Sequence, residues 1–243
     1  MLWCAMLLTV FIQNSLLCHV FYSQCGQDQY VLKHFFSEVT DGFFVDIGAY
    51  DGISFSNTKL LEELGWKGIC IEPLPEIFQE LCNNRSCICV NGCITNNPGM
   101  VEFTQIVCPS VPTHQMLSGI TQAYDPRHVN RINQDIAPCN GSKKTILVQG
   151  YLLSDILDSY HISHVNYLTL DVEGGELEIL KSIPFNRITI DVIDVENNYG
   201  DPGIRRFLES RGFKYVTRLV CDEIYINKQF EKELNRSKHG KKA

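Results

Sequence analysis

The sequence predicts an α/β fold, a doubly wound and mostly parallel sheet, and three observations carry that expectation. Residues 43–45, Phe-Phe-Val, form an apolar run that ends in Asp46, the pattern of a strand buried on both faces. Gly48 and Gly52 follow, and residues 54–65 have helix character, with Ser54, Ser56 or Asn57 able to cap the start and Gly65 able to end it. A second short apolar run, residues 67–73 (Lys-Gly-Ile-Cys-Ile-Glu-Pro), closes on Glu72. Strand, tight turn, helix and strand in that order put Asp46 and Glu72 at the carboxyl ends of adjacent strands. That edge is where open α/β sheets bind ligands.

A chain of 243 residues is long enough for one α/β domain with a substantial core. A net charge of −7 beside 44% hydrophobic residues describes a folded acidic protein. Its only cationic cluster is in the tail, at residues 238–242, so no basic stripe offers itself to nucleic acid. Eleven cysteines are many for a cytosolic enzyme of this size. Cys82, Cys87, Cys89 and Cys93 crowd one region, Cys108 and Cys139 come later, and Asn-x-Ser sequons stand at Asn84, Asn140 and Asn235. Together these lean toward an oxidising compartment, the secretory pathway or the exterior, with the cytoplasm as the alternative. The cysteine cluster lacks the paired Cys-x-x-Cys of structural zinc sites, and buried free thiols are its other reading.

Residues 1–22 are expected to be a hydrophobic leader. Residues 2–12 are almost unbroken apolar sequence, the length of a secretion-signal core and short for a membrane span. No Lys or Arg precedes the run and no clear small-x-small cleavage site follows. The expectation is a cleaved signal or a short anchor, with a helix packed on the domain as the alternative. Any membrane contact would run through this leader alone.

The domain is expected over residues 23–230. Residues 26–36 read as a helix whose Tyr30, Val31, His34 and Phe35 form a core stripe. After Glu72 and Pro73 come a helix near residues 76–82 and a strand at 87–91. Residues 101–106 and 144–149 look extended. The long stretch between them, 107–142, carries aromatics and charges suited to a lid over a substrate. His128 within it could be a base, although a lone histidine more often packs. Residues 151–160 read as an amphipathic helix. A strand at 164–171 ends in Asp171, and Val-Glu-Gly-Gly-Glu opens a helix at 176–182. A strand at 188–196 ends in Glu196, with Asn197 and Asn198 after it. A helix over 201–211 and strands at 213–219 and 223–226 close the domain. Residues 231–243 read as a polar, frayed tail.

Glu72 lies about twenty residues past Gly52, where an acid accepts both ribose hydroxyls of a nucleotide-like cofactor. A dinucleotide and S-adenosylmethionine share that layout. A dinucleotide loop needs Gly-x-Gly-x-x-Gly for backbone approach to a pyrophosphate. Here Tyr50 replaces the middle glycine, and Asp46 and Asp51 flank it. Acids suit a sulfonium and an ammonium better than a phosphate, which favours S-adenosylmethionine.

The motifs taken together resemble a known family. Residues 23–29 (Ser-Gln-Cys-Gly-Gln-Asp-Gln), 44–52 (Phe-Val-Asp-Ile-Gly-Ala-Tyr-Asp-Gly), 56–58 (Ser-Asn-Thr), 68–73 (Gly-Ile-Cys-Ile-Glu-Pro) and 170–176 (Leu-Asp-Val-Glu-Gly-Gly-Glu) are similar to the FkbM-type methyltransferases. The resemblance runs from about residue 23 to 227. It implies a Rossmann-like, seven-stranded, S-adenosylmethionine-dependent methyltransferase with an antiparallel C-terminal hairpin. Such enzymes usually act on an oxygen of a sugar or other small acceptor. The cofactor-binding candidates are then Gln27, Asp46, Gly48, Tyr50, Asp51, Glu72, Pro73 and Asn91. Asn91 belongs to a strand end expected near the adenine, and Gln24, Gln27 and Asp28 lie at a helix entry that could reach the methionine end, where Asp28 has the alternative role of a cap.

The end of the fourth strand of that sheet faces the methyl group, so Asp171, Glu173 and Glu196 are the acceptor-side candidates. A hydroxyl acceptor needs a base or a metal. Asp171, Glu196 and Asn197 are similar to the magnesium site of catechol-type O-methyltransferases, and all-oxygen ligands suit Mg2+. Two other readings stand beside this one. A secretory-pathway binding or regulatory protein could keep the fold without turnover, and a dinucleotide oxidoreductase is disfavoured by Tyr50.

Overall fold

The computed structural model describes residues 19–240. Its centre is a seven-stranded sheet in the order β10-β11-β9-β8-β1-β2-β3. The strands β1 (Phe43–Ile47), β2 (Lys67–Glu72), β3 (Ile88–Asn91), β8 (His164–Leu170) and β9 (Thr189–Glu196) run parallel. β11 (Asp222–Asn227) returns antiparallel to β9, and β10 (Phe213–Leu219) closes the edge antiparallel to β11. This is the expected doubly wound α/β sheet with its C-terminal hairpin.

The two faces of the sheet follow from side-chain alternation. Val45 and Ile47 of β1 and Ile69 and Ile71 of β2 join one core, packed under α5 (Leu153–Ser159), α6 (Glu176–Ser182) and α7 (Pro202–Ser210). Phe44, Cys70, Tyr167 and Val192 point the other way. They pack under α1 (Gln27–Val31) and its π-helical extension Leu32–Phe36, α2 (Lys59–Glu63) and α3 (Pro75–Asn84). Helix α2 is shorter than residues 54–65. Asp51 and Ser56 accept the amides of Ile53, Ser54, Thr58 and Lys59 and hold the segment before it as a loop, which is how such side chains compete with helix.

Residues 107–142 form an ordered insert. β5 (Gly99–Val107) and β7 (Ser142–Tyr151) pair along their whole lengths, and with β4 (Cys93–Ile94) and β6 (Gly119–Ile120) they make a second sheet. The insert holds a 3-10 turn at Pro112–Leu117 and helix α4 (Pro126–Ile136), and a Cys108–Cys139 disulfide closes its base. The expected frayed tail is instead helix α8 (Lys228–Gly240), because Phe230 and Leu234, one turn apart, pack on the α1 side of the core. Residues 1–18 of the expected leader lie outside the described residues. Phe21 and Tyr22 already pack on the domain, and among the described residues no helix is long and apolar enough to cross a membrane.

Candidate active site

Strand order reverses between β1 and β8, and a cavity of about 390 Å³ opens there over the carboxyl ends of the strands. The two strand-end loops cross in contact. A Cβ placed on Gly48 would lie 1.8 Å from the Asp171 carbonyl oxygen, and Gly48 has φ +91, so only glycine fits there. The crossing joins a cofactor half, built on β1 and β2, to an acceptor half, built on β8 and β9.

In the cofactor half every amide at the loop's start is already bonded. Gly48 N and Ala49 N donate to the Ile71 carbonyl at 3.0 and 3.1 Å, and Tyr50 N donates to Glu72 Oε2 at 3.1 Å. No ring of free amides remains for a pyrophosphate. Tyr50 holds φ +49 and lines the cavity. Glu72 is buried, and Leu74 N donates to its Oε1 at 2.8 Å. Burial pushes its carboxyl up to about 7. Each oxygen accepts one of these amides and has capacity for a second bond, which suits a ribose diol.

Asp46 lines the same wall and accepts from Thr58 Oγ1 at 2.6 Å. Burial raises its carboxyl, and the Arg85 charge opposes that rise. Asn57, also in the lining, donates to Thr169 Oγ1 at 2.9 Å and leaves its buried Oδ1 without a partner. An orphaned acceptor beside a buried acid fits a bound ammonium. Gly48 and Pro73 complete this part of the lining.

Three expected cofactor contacts lie outside the lining. Asn91 is exposed and its amide donates to the Glu72 and Pro73 carbonyls at 2.9 and 3.3 Å, so it shapes the loop while Gly92, Cys93 and Ile94 face the cavity. Asp51 turns back onto Ser54, accepting from its amide and hydroxyl at 2.7 Å each. Gln27 is buried against Asp222, and Gln24 reaches the cavity in its place. Asp28 does not cap the helix, whose N-cap is Gly26; it accepts from Tyr22 N and the Ser23 hydroxyl at 2.7 and 2.6 Å and ties down the chain before the helix.

In the acceptor half Asp171, Glu173 and Glu196 converge, with one carboxylate oxygen of each within 4.8 Å of the other two. Asp171 opens to cavity solvent within a protein-lined recess. Enclosure, then the charges of Glu173, Asp222 and Glu176, raise its carboxyl far above the usual range. Burial, followed by Asp171 and Glu173, raises Glu196 likewise. Burial also raises Glu173, against the pull of Arg131, whose Nη1 lies 3.6 Å from Glu173 Oε2. Like charges this close cannot all ionise, so the group shares protons.

Asn197 does not join this cluster. Its amide bridges the Asp201 backbone, accepting from Asp201 N at 2.7 Å and donating to its carbonyl at 3.1 Å. Asn198 takes the place expected for it, donating to Glu196 Oε1 at 2.6 Å. His128 is fully buried behind Glu173 and outside the cavity lining. Its Nε2 faces the Leu117 carbonyl at 3.2 Å, so that nitrogen carries the proton and Nδ1 is left to accept from the Tyr199 hydroxyl at 3.3 Å. Burial lowers its pKa, and it packs rather than acting as a cavity base. Arg131 and Asp222 gave no signal beyond residue type, since long-range packing aims them; Asn57 and Asn198 stood in noted segments, but only the turns that aim their side chains give them these roles.

A mostly parallel sheet ending in an antiparallel hairpin, with an acid after its second strand and no phosphate-binding loop, defines a Rossmann-like methyltransferase. The family model of the methyltransferase FkbM domain matches residues 46–215, and the chain belongs to that family. No curated protein matches it. Among solved structures it is similar to an FkbM methyltransferase from Methylobacillus flagellatus KT, at 14% identity and TM-score 0.45, over 81% of this chain and 47% of that one. It therefore spans about half that protein's length. A protein of the NADB-Rossmann superfamily from Streptococcus agalactiae is similar at 12% identity and TM-score 0.42, over 86% and 70%. The METTL16 MTase domain is similar at 11% identity and TM-score 0.42, over 82% and 63%.

Proposed function

We propose that the chain is an S-adenosylmethionine-dependent O-methyltransferase acting on a glycan or other small hydroxyl acceptor. The observation that carries the cofactor is Glu72, a buried carboxylate with two free lone pairs at the second strand end, beside a loop whose amides are occupied. Bound S-adenosylmethionine supplies an electrophilic methyl group. Glu72 accepts the ribose hydroxyls, and Asp46 and the Asn57 Oδ1 accept from the ammonium.

The acceptor half supports a polyhydroxyl substrate. Its three clustered carboxylates are acceptors for hydroxyl donors, and Arg131 balances part of their charge. Asp171, the most open of the three, takes the acceptor proton. Glu196, aimed by Asn198, orients the hydroxyl. Holding the acceptor oxygen in line and removing its proton are the two contributions such a transfer needs.

The close approach of the same carboxylates favours a second reading, in which Asp171, Glu173 and Glu196 hold Mg2+. In that reading Glu173 would take the place of Asn197 as a ligand, and the ion would lower the pKa of an acceptor hydroxyl. The Cys108–Cys139 disulfide and the exposed Asn140 sequon support residence in the secretory pathway. Membrane contact would then run only through residues 1–22.

Titration of the purified chain with S-adenosylmethionine and NAD, followed by an acceptor screen starting with glycans, tests the reading. Micromolar S-adenosylmethionine affinity with methyl transfer to an oxygen is expected. Selective NAD binding would overturn it, and a cofactor that binds but is never consumed would favour a non-catalytic protein. Loss of transfer in a chelator with recovery in Mg2+ separates the two acceptor readings.

A further inference from the structure

We infer that Cys70 and Cys87 are a redox-modifiable thiol pair that closes a disulfide under a peroxide and thereby loosens the cofactor site; the second half of this inference rests on the S-adenosylmethionine reading. The two sulfurs lie 3.5 Å apart. Cys70 is fully buried in β2 and is the register partner of Asp46 in β1. Cys87 stands just before β3, half-buried, where a small oxidant can reach it. Cys89, paired with Cys70 across β2 and β3, directs its sulfur to the Cys87 carbonyl at 3.6 Å.

The segment that carries Cys87 also clamps the cofactor loop. Arg85, two residues earlier, is buried and donates to the Gly52 carbonyl at 3.2 Å, Ser56 Oγ at 3.3 Å and Thr58 Oγ1 at 3.0 Å. Thr58 in turn donates to Asp46. Glu62 fixes the same segment, pairing with Arg85 and accepting from the amides of Ser86 and Cys87 at 2.7 and 2.9 Å. Asp46 is thus linked to the thiol pair twice, through its strand partner Cys70 and through Arg85.

The site is also chemically suited to oxidation. Contact with the Cys70 and Cys89 thiols, ahead of the Arg85 charge, holds the Cys87 thiol below its ordinary pKa despite its burial. The thiolate is the form that attacks. Cys87 sulfur attacks a peroxide oxygen; an S–O bond forms, the O–O bond breaks, and hydroxide leaves to become water. Cys70, losing its proton, attacks the sulfenic sulfur; the S–S bond forms and the second oxygen leaves as water. Two thiols lose two electrons, and hydrogen peroxide becomes two waters.

An S–S bond of about 2 Å needs the sulfurs to approach by roughly 1.5 Å. Cys70 is held in an internal strand, so Cys87 makes the move and draws Arg85 away from Gly52, Ser56 and Thr58. The full chain, purified reduced, is treated with hydrogen peroxide, mapped by peptide mass spectrometry, and titrated with S-adenosylmethionine before oxidation, after it and after re-reduction. A Cys70–Cys87 linkage and at least fivefold weaker binding, reversed by thiol, are expected. Cys87→Ser should keep the reduced affinity and lose the response, while Cys82→Ser, at an exposed position, should keep both. Absence of the linkage overturns the pair, whatever the cofactor result, and a linkage with unchanged affinity overturns the coupling. A reduced chain that binds no S-adenosylmethionine refutes the cofactor reading instead, and the peptide map still decides the pair.

Discussion

The two halves of the cavity are built from different kinds of information. In the cofactor half, Asp46, Gly48, Tyr50 and Glu72 lie within one strand–loop–helix–strand unit, and its polar groups are largely bonded to one another. In the acceptor half, Asp171, Glu173, Glu196 and Arg131 come from β8, β9 and the insert, and Glu173 Oε2 is buried without a hydrogen bond. A half bonded within itself, apart from the orphaned Asn57 Oδ1, is a preformed receptor for a fixed ligand. A half with clustered, proton-sharing acids is poised to exchange protons with something that enters.

The largest expected effect comes from breaking the joint between the halves. Gly48→Ala sets a methyl against the Asp171 carbonyl, and neither backbone can yield without shifting a central strand. We expect a loss of about 4 kcal/mol, a fall in the unfolding midpoint of roughly 8–16 °C, and loss of cofactor binding. A variant with the parent's midpoint would show that the halves are not locked together.

Next in size is a change confined to the acceptor half. Asp171→Asn keeps volume and removes a base, so turnover should fall by about 10²-fold or more while S-adenosylmethionine affinity stays within about twofold. Calorimetry and initial rates on one preparation check both halves at once. Retained turnover would refute the role given to Asp171.

Glu72→Gln is the mirror experiment. It should weaken S-adenosylmethionine binding at pH 8 by about tenfold, or about 1.4 kcal/mol, without unfolding the chain. The pH dependence has two opposite signs. Glu72 is raised to about 7 from the ordinary 4.5, so the folded state holds its proton more tightly than the unfolded one. Its contribution to apo-protein stability is therefore greatest below pH 4.5, declines by up to about 3 kcal/mol between pH 4.5 and 7, and is flat above. Cofactor affinity moves the other way, rising as pH passes 7, because only the ionised carboxylate accepts both hydroxyls. Stability and affinity profiles of Glu72→Gln should lose both slopes; a variant that keeps them would assign the titration elsewhere.

The same contrast explains what the sequence could reveal. Asp46, Gly48 and Glu72 are legible because strand ends and tight turns are local, and the order of strands follows from run length and periodicity. Strand ends also brought Asp171 and Glu196 to attention, but the turn after β9 decided that Asn198 rather than Asn197 meets Glu196. Arg131 and His128 sit on a helix of the insert, whose docking depends on contacts distant in sequence. Helix α8 hid behind a polar composition because its apolar contact with the core rests on the partly buried Phe230 and Leu234.

The smallest expected effect on the fold tests a difference in redox character between the halves. The insert over the acceptor half carries the Cys108–Cys139 disulfide, and Asn140 follows it directly, exposed and at φ +50. The cofactor half instead holds free thiols, among them Cys70, Cys87, Cys89 and Cys93. Its sequon at Asn84 is held inward, the amide donating to the Asp51 carbonyl at 2.8 Å. A transferase must reach the asparagine amide, so translation of the full chain into microsomes should attach a glycan to Asn140 and none to Asn84. In an Asn235→Gln background, which silences the third sequon, Asn140→Gln should remove the glycosidase-sensitive mass shift and leave the unfolding midpoint within about 2 °C, since exposed polar substitutions stay within about 0.5 kcal/mol. A shift that survives Asn140→Gln and vanishes in Asn84→Gln would mean that the cofactor half is open during folding. No shift in either would remove the sequon's support for the secretory pathway and leave the disulfide as its remaining support.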